Sequence, residues 1–114
     1  LLRGASSPSQ PFWDFLAAFP GRALSEVQPS GYAGYCVECL GAAVVVVLRT
    51  ESLEDALTFT ANLGGESDTV GAVTGGAAGA FWGEAAIPGR WLDGLRERER
   101  VSGAADTLLA RSHE

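Results

Sequence analysis

The stretch Tyr35-Cys36-Val37-Glu38-Cys39-Leu40-Gly41-Ala42-Ala43-Val44-Val45-Val46-Val47-Leu48-Arg49-Thr50 decides the fold. Four consecutive valines, Val44 to Val47, would suit a buried strand, because β-branched side chains pack well on a pleated surface. Length decides for a helix. The apolar stretch runs past a dozen residues, and Gly41 is the one breaker inside it. A helix that is apolar all round belongs at the centre of a bundle.

The flanking segments are helical in pattern too. Ser52 and Asp55 have capping-box spacing, with Asp in place of the preferred Glu. Leu53, Ala56, Leu57, Phe59, Thr60 and Leu63 form the periodic apolar face that follows, and Gly64-Gly65 ends it. Val70 to Gly83 reads as a further helix, with Gly71, Gly75, Gly79 and Gly83 spaced four apart beside Ala72, Gly76 and Ala80. Glycine costs a helix up to about 1 kcal/mol per position, so this ladder predicts a buried seam where a neighbouring helix comes close. Upstream, Phe12, Trp13, Phe15, Leu16 and Phe19 recur at helical spacing before Pro20-Gly21, and residues 1–11 read as a linker or loop. Downstream, Ala86 to Trp91 is a turn leading into a short helical piece. Arg96 to Arg100 is a solvated charged face, and Ala104 to Arg111 a final short helix. The expectation is an all-α fold, a compact bundle of five or six helices in a single domain over residues 1–114.

Composition narrows the function. Hydrophobic residues are 46% of the chain and charged residues 19%, so a packed core is expected rather than disorder. The net charge of −6 argues against a nucleic-acid partner. Arg96, Arg98 and Arg100 make no basic patch, since they alternate with Glu97 and Glu99. The apolar run Ala42 to Leu48 is far short of the roughly 20 residues a membrane span needs. Two cysteines in an otherwise ordinary composition fit a reducing cytoplasm, and Cys36 and Cys39 read as buried, inert helix residues. There is no methionine. With an opening Leu1-Leu2, that absence suggests a chain beginning inside a longer polypeptide.

The chemistry concentrates in Gly64-Gly65-Glu66-Ser67-Asp68-Thr69-Val70-Gly71. Glu66 and Asp68 supply carboxylates and Ser67 and Thr69 hydroxyls, where a loop enters a helix. Hard oxygen ligands gathered in this way are what Mg²⁺ or Mn²⁺ requires. The plainer alternative makes Ser67 or Asp68 an N-cap and Glu66 a solvated loop charge.

Asn62 to Gly75, N-L-G-G-E-S-D-T-V-G-A-V-T-G, resembles the C-terminal signature of the ADP-ribosylglycohydrolase family, whose usual form is N-L-G-G-D-x-D-T-x-x-A-x-x-G. Gly34 to Leu40 is similar to that family's G-Y-V-V-x-T-L helix start, and Ala86 to Trp91 to its A-I-P-x-x-W turn. The three matches keep their order and separations across roughly Ser30 to Arg98. The resemblance implies the C-terminal portion of an all-α fold holding two Mg²⁺ or Mn²⁺ ions. It also implies hydrolysis of the bond between ADP-ribose and a modified side chain, or of a related ADP-ribose derivative. By position, Glu66, Asp68 and Thr69 take the places of metal ligands, and Tyr35 that of a tyrosine lining the ADP-ribose site. Glu66 departs from the family's aspartate by one methylene. The family's remaining ligands, a Ser/Thr-Asp-Asp triplet and an N-terminal acid, belong to an earlier half that this chain lacks. No residue here is therefore expected to be catalytic by itself. The partners implied are an ADP-ribosylated protein or ADP-ribose derivative, and the missing N-terminal half of the same fold.

Overall fold

The computed structural model describes residues 14, 17–27 and 36–114. Among these, all regular structure is helical. From Cys36 onward five α-helices follow one another: α1 Cys36–Arg49, α2 Leu53–Ala61, α3 Ser67–Trp82, α4 Gly89–Gly94 and α5 Arg98–Ser112. Single 3-10 turns lie at Phe19–Gly21, Leu24–Glu26 and Glu84–Ala86. The all-α reading holds, and the four valines lie within α1. The proposed linker over residues 1–11 and most of the aromatic segment from Phe12 lie outside the described residues.

The core is built from small side chains. Cys39, Gly41, Ala42, Ala43, Val45 and Val46 of α1 are buried. Leu53, Ala56 and Thr60 of α2 and Val70, Thr74 and Ala78 of α3 are buried too, and Ala56 and Val70 join Cys39, Ala42, Val45 and Val46 in one cluster. α3 packs along both α1 and α2, and the Phe19–Gly21 turn covers α1 from another side. α1 is thus the central helix, although Leu40 and Leu48 on it remain exposed.

Gly41 is where this packing is tightest. A Cβ added there would fall inside the contact distance of the buried Phe19 ring. The ring is held from its other surroundings as well. The Arg22 guanidinium lies 4.3 Å from its centroid. Arg49, at the end of α1, donates hydrogen bonds to the carbonyls of Arg22 at 3.1 Å and Pro20 at 3.0 Å. The sequence pattern marked Gly41 as a helix breaker, whereas its role is to make room for an aromatic ring.

The glycine ladder of α3 departs from expectation. Its buried line is Val70, Thr74 and Ala78, not the glycines. Modest space remains beside Gly71 and Gly75, where an added Cβ would lie 3.8 Å from Thr60 and 3.6 Å from Leu57. Gly79 faces open space, and Gly83 ends the helix at φ +85°. Ala72, Gly76 and Ala80, the second stripe, are exposed. The reason is geometric. Each four-residue step overshoots a full turn by about 40°, so a ladder of three steps winds about 120° around its helix. No single neighbour can meet all four positions.

The chain's end also differs in detail. α5 is one continuous helix that includes Val101 to Gly103, and it buries no residue. At the opposite end of α2, the Asp55 backbone N–H donates to the Ser52 hydroxyl at 3.0 Å, as the capping spacing predicts.

Two substitutions test the packing. Gly41→Ala gains helix propensity but must displace the Phe19 ring, and we expect a net loss of roughly 1–3 kcal/mol in chemical denaturation. Thr74 is fully buried, and its hydroxyl has no hydrogen-bond partner among the described residues. Thr74→Val keeps the shape while removing an unsatisfied polar group, so it should raise stability by about 1 kcal/mol. A destabilised Thr74→Val would mean that the hydroxyl is satisfied.

Candidate metal-binding site

The loop entering α3 is shaped by its two glycines. Gly64 and Gly65 have φ of +80° and +59°, a region open to glycine at little cost. They turn the chain so that Glu66 stands at the N-cap position of α3, followed by Ser67, Asp68 and Thr69 in the first turn. Glu66 makes no side-chain capping bond. Neither Ser67 nor Asp68 occupies the cap, so the plain N-cap alternative does not describe this loop.

The side chains turn toward one another instead. The Thr69 hydroxyl donates to the Glu66 carboxylate, with Oγ1 3.4 Å from Oε2. The Asp68 carboxylate accepts the Thr69 backbone N–H at 2.9 Å. Glu66 and Thr69 are half-buried, whereas Asp68 is exposed. The N-terminal end of α3 favours negative charge through the helix dipole.

The helix that this group begins packs along α1. The Cys39 thiol is buried, and its pKa is raised by burial first, then by Glu38, Cys36 and Glu66. Glu66 of the loop and Glu38 of α1 therefore both act on one position, which gathers negative charge at this end of the bundle. No local sequence signal revealed that juxtaposition, because it arises from packing α1 against α3. The structure also corrects the cysteine reading: Cys39 is buried but Cys36 is exposed. Tyr35 lies outside the described residues.

Hydroxyl and carboxylate oxygens suit a hard divalent cation, and Glu66 and Thr69 are already neighbours. The donor set is partial. Among the described residues, no group of three or more His, Cys, Asp or Glu side chains is placed to hold a metal ion. No helix of the described residues is long and apolar enough to cross a membrane.

The sequence profile of the ADP-ribosylglycohydrolases matches residues 2–114. The chain belongs to the ADP-ribosylglycohydrolase family. It is 43% identical over 77 residues to the ADP-ribosylarginine hydrolase Tri1 of Serratia proteamaculans, covering 68% of this chain and 21% of that protein. It is 36% identical over 81 residues to the ADP-ribosyl-[dinitrogen reductase] glycohydrolase of Rhodospirillum rubrum, covering 68% and 27%. With the ADP-ribosylhydrolase ARH3 of Bos taurus, identity is 26% over 89 residues, covering 77% and 24%. The matched region thus spans about a quarter of the length of these relatives. No solved structure matches the chain significantly.

The raised thiol gives a pH test. Native Cys39 holds its proton more tightly than the unfolded chain does, so its contribution is fully present below the ordinary thiol pKa. That contribution is lost as pH rises through the ordinary value toward the raised native one. Wild type should therefore lose more stability than Cys39→Ala between about pH 8 and pH 10. Parallel denaturation curves for the two proteins across that range would refute the assignment.

Proposed function

We propose that this chain supplies the C-terminal part of a hydrolase that removes ADP-ribose from modified proteins or small molecules. In this reading Glu66, Asp68 and Thr69 ligate Mg²⁺ or Mn²⁺ in a two-metal site completed by upstream residues, and Tyr35 lines the ADP-ribose pocket. The observation that carries it is the pairing of the Thr69 hydroxyl with the Glu66 carboxylate at the head of α3. That pairing falls in the stretch resembling the family's metal-ligand motif.

The metal would polarise the ribose region and lower the pKa of a bound water. The residues of this chain have narrower tasks. Glu66 and Thr69 present oxygens from the turn made by Gly64 and Gly65, and Asp68 adds a second carboxylate from the solvent side. Exposed Leu40, Leu48 and Phe81 also support completion by further polypeptide, since large apolar side chains on α1 and α3 are left uncovered. An ADP-ribosylated arginine is the first substrate to try, given the name of the Serratia relative.

The lengthened acid favours a second reading, an ADP-ribose-binding module without turnover. One methylene more places the Glu66 carboxylate differently, and the Thr69 hydroxyl already engages it.

The test has two arms. Mn²⁺ should raise the Tm of the 114-residue chain, and Asp68→Ala and Thr69→Val should each abolish the shift. The polypeptide including its upstream region should release ADP-ribose from ADP-ribosylated arginine in a metal-dependent way, with loss of activity in Asp68→Ala. Full activity in that variant would sink the metal assignment. Ligand binding without release by the longer polypeptide would favour the binding module.

A further inference from the structure

The Cys36 and Cys39 pair is not used by the proposed hydrolase, and its arrangement suits a different chemistry. Cys36 is the first residue of α1 and is exposed, while Cys39 lies one turn on and is buried. In the resembled helix start, these positions carry valine and threonine. Helix geometry separates Cα atoms three residues apart by about 5 Å. Disulfides span Cα separations of about 4.4–6.8 Å, so closure needs adjustment only in the first turn of α1.

We infer that Cys36 and Cys39 form a thiol–disulfide exchange pair, in which exposed Cys36 attacks a small disulfide and buried Cys39 resolves the product. This goes beyond the proposed hydrolase and does not rest on it. In the first exchange, Cys36 Sγ loses its proton and bonds to one sulfur of the small disulfide. The sulfur–sulfur bond breaks, and the departing half takes up that proton as a free thiol. In the second exchange, Cys39 Sγ attacks Cys36 Sγ and expels the remaining half, which takes the Cys39 proton. Two protein thiols are oxidised by two electrons, and one small disulfide is reduced to two thiols.

Cystamine is the probe. Incubated with the reduced wild-type chain, it should abolish both titratable thiols and leave a mass lower by two hydrogens, with no adduct. Cys39→Ala should retain a stable cystamine-derived adduct on Cys36, whereas Cys36→Ser should lose the reaction. Circular dichroism of each variant checks that it is folded. The inference is overturned if folded wild type keeps both thiols, or if it accumulates the same lasting adduct as Cys39→Ala.

Discussion

Everything in this chain depends on how closely α1 can be approached. Its buried side is made of Cys39, Gly41, Ala42, Ala43, Val45 and Val46, so its neighbours come in over small side chains. Ala56 of α2 and Ala78 of α3 answer with equally small residues, both fully buried. Such surfaces gain little hydrophobic free energy per residue, and the close contacts they permit supply dispersion instead. Phe19 supplies the bulk that the helices lack, and it does so only because Gly41 has no side chain. The approach of α3 to α1 is also what carries the Glu66 loop to the beginning of α1.

That placement gathers acids from separate segments. Glu66, Asp68 and Glu38 belong to two helices and a loop, yet the first and last both influence Cys39. The hydroxyl of Thr69 is turned onto Glu66, within the same turn of α3.

The helical character of the chain was legible in residues. Length settled Val44 to Val47 as helix against their β-branched preference, and Ser52 announced its own capping bond. The acidic loop was legible as well, because its ligand types and flanking glycines are contiguous. What sequence could not convey was which side of each helix meets which neighbour. Gly71 to Gly83 looked like one face because four-residue spacing nearly closes a turn, yet the line of α3 that is buried runs one residue earlier, along Val70, Thr74 and Ala78. Gly41 looked like an interruption because its partner, Phe19, is distant in sequence. Cys36 and Cys39 looked equivalent because periodicity places both near one face, but Cys36 is exposed at the first position of α1.

One further property follows from α5. Arg98–Ser112 contains 15 residues and buries none of them. Helices of that length are marginal in water when they have no partner, because the nucleating turn is costly and each added residue contributes little. The Arg100–Glu97 ion pair at 2.9 Å is exposed and adds little. α5 should therefore fray from its ends on warming, with fast amide exchange, before the three packed helices melt as a unit.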